Sequence, residues 1–207
     1  MRNIYFGSNR NNLFLKVNIA ALTMLFLLAF VPKKEVPILN REEARKAFMY
    51  LNAIRNNAAA YSKELKFLKS TKVTTSSLIW NDTLAAVAEA KAWDMAQLNY
   101  FSHTDKKGYG INYALFKAGY PVDPLWLKPK KANYFESIAA GNHTGEQFIL
   151  LLIEDKGVPS LGHRKHLLGS DEWNSTLTEI GIGYAKAPAG ADYAYYCSIV
   201  IAKRGSK

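Results

Sequence analysis

Side chains that could do chemistry stand at the ends of predicted helices and strands, where functional residues concentrate. His103 lies in FSHTD, Glu136 in NYFESIAAG and His163 in PSLGHRK. Imidazole nitrogens and carboxylate oxygens can bind a divalent ion or transfer a proton. Their separation in the sequence matches no local metal-binding motif. On local evidence alone, each of the three residues is more often an ordinary hydrogen-bonded side chain than a functional ligand.

His163 and His166 form a local pattern of their own. Positions i and i+3 of a helix share a face, so the two imidazoles could coordinate one divalent ion. Arg164 and Lys165 stand between them, which excludes an HExxH motif, and two adjacent cations oppose metal binding. The serines near these histidines lack the Gly-x-Ser-x-Gly turn of a nucleophilic serine. These observations disfavour a site made by this stretch alone.

The elements that must position these groups are predicted to be mainly helical. Apolar residues recur at intervals of three and four from Ala44 to Leu68, behind a capping box at Asn40 and Glu43, which predicts one long amphipathic helix. A second helix is predicted to start at Asn81 or the next residue and to end before FSHTD. The stretch INYALFKAGY predicts a third, short helix.

The second half of the chain predicts one buried helix and a terminal hairpin. Thr144 and Gln147 resemble a capping box ahead of QFILLLIED, which favours a helix over a strand there. The runs EIGIGYAKA and YAYYCSIVIAK are strand-like and are separated by turn residues. Helices followed by a hairpin predict a layered α+β domain over residues 40–207.

Residues 1–34 predict a signal peptide or an uncleaved membrane anchor. The run 17–31, VNIAALTMLFLLAFV, has no charge and is flanked by basic residues. It is long for a signal peptide and shorter than the roughly 17–25 residues of a membrane span. No small residue stands at the expected cleavage position, so removal and retention both remain open, with a buried core helix as the third interpretation. Export predicts an extracellular, periplasmic or outward-facing membrane-anchored protein.

Composition narrows the class of partner. The formal net charge is +10, with lysines scattered among acids and no basic run interleaved with aromatics. A groove for nucleic acid would need such a run, so we expect no nucleic-acid partner. The positive charge favours an anionic surface such as membrane headgroups or cell-wall polymer over DNA. For most of the lysines, a solvated surface without a partner is the simpler interpretation. The lone Cys197 excludes an internal disulfide.

Five stretches follow one another in a characteristic order. They read LIWNDTLAAVAEAKAWDMAQLNYFSHTD, GYGINYALFKAGY, FESIAAG, GVPSLGHRKHLL and TEIGIGYA. Together they resemble the bacterial branch of the CAP superfamily, which includes cysteine-rich secretory proteins, venom antigens and plant pathogenesis-related proteins. The resemblance spans about Phe48 to Arg204. It implies an α-β-α sandwich with a central antiparallel sheet and a cleft lined by a His-Glu-Glu-His cluster.

The resemblance assigns the cluster by position. His103, Glu136 and His163 match its two histidines and one glutamate, whereas His166 matches none and is expected to pack within its helix. The second glutamate has no clean counterpart, and Glu154 is chosen as the nearest carboxylate, with its neighbour Asp155 as the other candidate. Phenylalanine and serine at 135 and 137 stand where the family usually has glycine and asparagine.

The assigned cluster implies zinc or another divalent cation, loosely bound by His103, His163 and Glu136. Such binding should weaken in acid, because protons compete for the imidazole nitrogens. The first interpretation is an exported monomeric binding or signalling module for a lipid, a peptide or an anionic envelope polymer. The alternative is a metal-assisted hydrolase, a peptidase or an esterase, with Glu136 or Glu154 as general base. A third interpretation is a surface scaffold in which these residues form a stabilising polar network.

Overall fold

The computed structural model describes residues 35–63, 65–74 and 76–205. The export segment predicted at residues 1–34 lies outside the described residues. Within these described ranges, none of the helices combines the length and the apolar composition that crossing a bilayer requires.

The centre of the described domain is a five-stranded sheet. Its strands are β1 (Ile38–Leu39), β2 (Ile79–Trp80), β3 (Glu136–Gly141), β4 (Glu179–Lys186) and β5 (Tyr195–Ala202). Antiparallel pairs give the order β1-β4-β5-β3, and β2 adds a short parallel pair with β4. The long strands β4 and β5 form the predicted terminal hairpin, with Ile182 opposite Ile199.

Helices precede and connect these strands. They are α1 (Arg41–Asn56), α2 (Ala58–Tyr61), α3 (Asp82–Leu98), α4 (Ile111–Lys117), α5 (Gly145–Glu154) and α6 (Gly162–Leu168). The side chains of Asn40 and Asn81 cap α1 and α3. Thr144 and Gln147 complete the predicted capping box of α5. The helical predictions at α3, α4 and α5 are therefore confirmed.

The prediction of one long helix from Ala44 to Leu68 is wrong. Helix α1 ends at Asn56, and the next residue, Asn57, leaves the helical conformation with φ −146° and ψ 65°. The Asn57 side chain then caps α2. Asparagine competes with helical hydrogen bonding and is favoured at such caps. The apolar period continues past the break because Leu65 and Leu68 still join the core.

The sheet is covered by α3 on one face and by α1 and α5 on the other. Successive residues of a strand point to opposite faces. The glycines Gly181 and Gly183 of β4 lie against the backbone of α3. Tyr184 points the other way, and its ring lies 5.8 Å from the ring of Phe148 in α5. These layers form the α-β-α sandwich that the resemblance implied.

Candidate functional site

A cleft of about 350 Å³ brings together segments that are far apart in the sequence. Its wall includes His103 after α3, Glu136 at the start of β3, and His163 near the start of α6. Tyr134 and Trp173 form an aromatic part of the same wall. The structure therefore places all three residues of the assigned cluster at one cleft.

His103 is held by a buried carboxylate. Its Nδ1 lies 3.0 Å from Oε2 of Glu136, whose side chain is 0% exposed. The other carboxylate oxygen accepts a hydrogen bond of 2.8 Å from the Ser198 hydroxyl. This contact occupies Nδ1 of His103 and leaves its Nε2 facing away from the carboxylate.

His163 is held in the same way by Asp155. The distance from His163 Nδ1 to Asp155 Oδ1 is 2.7 Å, and the Asp155 side chain is 1% exposed. The other oxygen of Asp155 accepts the backbone N–H groups of His163 and Arg164 at 3.0 and 3.3 Å. Asp155 ends α5 in the left-handed region at φ 49°, a conformation that aspartate adopts more readily than most residues.

Glu154, the carboxylate chosen from the sequence, does not join the cluster. Its side chain is exposed and does not line the cleft. Its backbone carbonyl accepts a 2.6 Å hydrogen bond from the guanidinium of Arg164, which also binds the carbonyl of Ile153. Asp155 takes the place expected for Glu154, because its carboxylate contacts the His163 ring and the N–H groups of the first turn of α6.

Both imidazoles present a free nitrogen to the cleft. Among the residues that the structure describes, neither His103 Nε2 nor His163 Nε2 has a hydrogen-bond partner in the protein. The two side chains are 40% and 30% exposed. An imidazole whose Nδ1–H is held by a carboxylate can accept a proton at Nε2 or donate a lone pair to a metal ion.

The donor set limits what ion this cleft could hold. The carboxylates of Glu136 and Asp155 stand behind the imidazoles, as in carboxylate–histidine–metal arrangements. Across the described ranges, no three or more His, Cys, Asp or Glu side chains are grouped as a metal site. His103 and His163 are the candidate nitrogen donors of the described cleft, and two protein ligands are fewer than the three or four of typical zinc sites. The two carboxylate oxygens of Glu136 already lie against His103 Nδ1 and the Ser198 hydroxyl, so Glu136 supports His103 from behind.

His166 is a buried residue of the cleft wall and hydrogen-bonds to Ser137. Ser137 follows Glu136 in β3, so it points to the opposite face of the sheet, toward α6. The distance from Ser137 Oγ to His166 Nδ1 is 2.8 Å, and His166 Nε2 lies 3.4 Å from the carbonyl of Ile201. Burial lowers the pKa of His166 to about 4, and the nearby histidines add to the effect. His166 is therefore neutral and packed, as expected.

Asn133 was missed by the sequence analysis. Its Oδ1 accepts the N–H of Glu136 at 3.0 Å, and its Nδ2 donates to the carbonyl of Glu136 at 3.1 Å. Asn133 Nδ2 also lies 2.9 Å from His103 Nδ1. Asn133 thus holds the start of β3 beside the His103 imidazole. No sequence motif marks this turn, so no sequence signal pointed to Asn133. Phe135 is fully buried and packs on Trp126 and Trp173.

Comparison with known proteins identifies a family and a relative that resemble this chain. Residues 48–199 match the model of the cysteine-rich secretory protein family, abbreviated CAP. YkwD of Bacillus subtilis is 30% identical over 135 residues, which are 64% of this chain and 45% of YkwD.

Two solved structures share the fold of this chain. An extracellular protein of Bacillus anthracis that contains an SCP domain superimposes with a TM-score of 0.50 and 23% identity, over 79% of this chain and 41% of that one. An outer surface protein of Borrelia burgdorferi superimposes with a TM-score of 0.51 and 18% identity, over 82% of this chain and 98% of that one. This chain thus spans less than half of the two Bacillus proteins.

Proposed function

This chain belongs to the cysteine-rich secretory protein (CAP) family, and from that premise we propose that it acts outside the cytoplasm as a ligand-binding module. Its cleft binds a divalent cation, zinc or a related ion, through His103 and His163. The fold is shared with proteins described as extracellular and as an outer surface protein, which supports this location. The export segment expected at residues 1–34 supports it as well.

The observation that carries the proposal is the pair of carboxylate-backed imidazoles on one cleft. Holding an imidazole by its Nδ1–H fixes the ring and raises its basicity toward a metal at Nε2. Two protein ligands leave most of the coordination shell open, so a ligand can complete it. The net charge of +10 supports an anionic ligand, for which a peptide carboxylate, a lipid headgroup or an envelope polymer qualifies.

Zinc titration of metal-free protein is expected to show binding by the wild type and none by the double variant His103→Ala with His163→Ala. The double variant lacks both protein ligands. Its zinc affinity should therefore fall by more than the roughly 10- to 100-fold that follows the loss of one hydrogen bond supporting a ligand. Isothermal titration calorimetry measures the affinity, and circular dichroism verifies the fold. Equal binding by the wild type and the folded double variant would remove the metal from this proposal.

Asp155→Asn is expected to weaken zinc binding by about 10- to 100-fold, because the amide no longer holds the proton on His163 Nδ1 by charge. Glu154→Gln is the matched control. It makes the same chemical change on the neighbouring, exposed residue and should leave the affinity unchanged. If both variants bind zinc equally, the carboxylate behind His163 has no part in the site.

A hydrolase is the second candidate, and the same geometry favours it. An imidazole oriented by a buried carboxylate is also the usual arrangement of a general base. In this case His103 or His163 accepts the proton, rather than Glu136, which is fully buried, or Glu154, which lies outside the cleft. Peptide or ester turnover that disappears in His163→Ala would favour the hydrolase. Ligand binding without turnover favours the binding module.

A further inference from the structure

Strand β3 forms one edge of the five-stranded sheet. The order β1-β4-β5-β3 places it at the end, and across the described residues β5 is its only strand partner. β3 has six residues, whereas β1 and β2, which border β4 at the opposite edge, have two each. Very short strands and charged side chains protect a sheet edge from pairing with another chain. β3 is longer, and its only charged residue is the buried Glu136.

Alternate residues of β3 direct their backbone groups away from β5. In an antiparallel pair, every second residue exchanges both hydrogen bonds with its partner, and the residues between them point to the other side. The N–H of Ile201 donates to the carbonyl of Phe135, and the register keeps odd-numbered residues of β3 opposite odd-numbered residues of β5. The outward N–H and C=O groups therefore belong to the even-numbered residues: Glu136, Ile138 and Ala140.

The Asn133 side chain occupies the outward groups of Glu136. It accepts the N–H of Glu136 and donates to the carbonyl of Glu136, which are the two hydrogen bonds that a neighbouring strand would make. Within the part of the chain that the structure describes, the outward groups of Ile138 and Ala140 have no such partner. The Ile138 side chain still packs in the core. This free part of the edge therefore offers two donors and two acceptors in the spacing of a β-strand.

The free part of the edge leads to the cleft. Glu136 lines the cleft, and Ile138 lies two residues, or about 7 Å, further along the strand. Ala140 and Gly141 follow with small side chains and partial exposure, so another backbone can approach them. At the other end, the exposed Tyr134 stands in the cleft wall. An extended chain that follows this edge thus reaches the cleft where Asn133 ends the pairing.

We propose that the outward edge of β3 binds an extended peptide as an additional strand, and that the peptide continues past Asn133 into the cleft. A peptide backbone carries alternating N–H and C=O groups that match those of Ile138 and Ala140, which a lipid or a polysaccharide lacks. The proposal rests on the proposed function, because it names the ligand class of the same binding module. The pairing itself requires no metal ion. Four hydrogen bonds are few, so contacts of peptide side chains with Tyr134 and Trp173 complete the binding.

Random linear dodecapeptides, displayed on phage and selected on the full chain in the presence of EDTA, supply the probe. The selected peptides are sequenced and synthesised, and fluorescence polarisation measures their affinity. Ala140→Pro removes one outward N–H and retains the hydrogen bonds to β5, because an edge strand accepts proline where its N–H faces outward. This variant should bind the peptides at least about tenfold more weakly. Ala140→Ser keeps the N–H and should bind like the wild type.

Leu39→Pro makes the same change at the opposite edge of the sheet. The N–H of Asn40 donates to the carbonyl of Tyr184, so the N–H of Leu39 points away from β4. Leu39→Pro should therefore bind the peptides like the wild type. The double variant His103→Ala with His163→Ala should retain most of the affinity measured in EDTA. Loss of zinc binding and loss of peptide pairing are thus distinguishable.

N-methylation of the peptide gives the same test without any change in the protein. Alternate residues of a paired strand direct their N–H groups toward β3, and the residues between them direct theirs away. Of two peptides that are N-methylated on alternate residues, only one should lose affinity. This comparison replaces Ala140→Pro if that variant fails to fold by circular dichroism.

Amide hydrogen exchange followed by NMR locates the bound peptide. The amides of Ile138 and Ala140 should exchange more slowly in the complex than in the free protein, and the amide of Leu39 should be unchanged. The proposal is overturned if the selection yields no peptide, if folded Ala140→Pro binds like the wild type, or if both N-methylated peptides bind equally. Protection of Ile138 and Ala140 that rises with protein concentration in the absence of peptide would assign this edge to a second copy of the chain instead.

Discussion

Replacing Gly183 with alanine is expected to lower the free energy of unfolding by at least about 3 kcal/mol, because α3 lies directly on the backbone of β4. A Cβ at position 183 would lie 2.1 Å from the carbonyl oxygen of Ala88 and 2.4 Å from the backbone nitrogen of Glu89. A Cβ at Gly181 would lie 2.0 Å from the nitrogen of Ala85. These are helix backbone atoms, so no flexible side chain can move aside. The whole of α3 must move away from the sheet.

Chemical denaturation followed by circular dichroism measures this effect. Gly162→Ala is the matched control, since a Cβ there would come no closer than 3.6 Å to the Ser160 hydroxyl. It should change the free energy of unfolding by less than about 1 kcal/mol, because alanine is a better helix former than glycine. Equal denaturation midpoints for Gly183→Ala, Gly162→Ala and the wild type would contradict the close contact between α3 and β4.

Acidification from pH 6.5 to pH 4 is expected to lower the free energy of unfolding by about 3 kcal/mol through His166. Its pKa is lowered from 6.5 to about 4 in the folded protein. Between these values the unfolded chain binds a proton that the folded protein excludes, so stability falls as the pH falls. The contribution is fully present above pH 6.5 and is lost by about pH 4. The cause is the cost of placing an imidazolium in a buried site.

His166→Asn separates this effect from the other titrating groups. Asparagine cannot titrate, and its side-chain oxygen takes the place of Nδ1 as acceptor for the Ser137 hydroxyl. The variant should show a smaller loss of stability between pH 6.5 and pH 4 than the wild type. Urea denaturation at a series of pH values measures the two slopes. Parallel slopes would assign the acid sensitivity to groups other than His166.

Local sequence signals predicted most of the secondary structure. Helices α3 and α5 could be predicted from the sequence. Their caps at Asn81 and Thr144, and the apolar periodicity that follows each cap, depend on contacts within a few residues. The wrong prediction of one continuous helix across Asn57 also comes from relying on local patterns. The apolar residues of α1 and Leu65 contact one core, and the periodicity does not report that the backbone between them leaves the helix.

The sequence by itself determined the helices with strong caps, the terminal hairpin and the family motifs that carry His103, Glu136 and His163. Only the tertiary structure decided how these groups are used. It selects Asp155 over Glu154, because the Asp155 carboxylate contacts His163 at the start of α6 whereas Glu154 is exposed. It also buries His166 against Ser137. Sequence patterns record neighbours along the chain, whereas these contacts join segments that only the packing of helices on the sheet brings together.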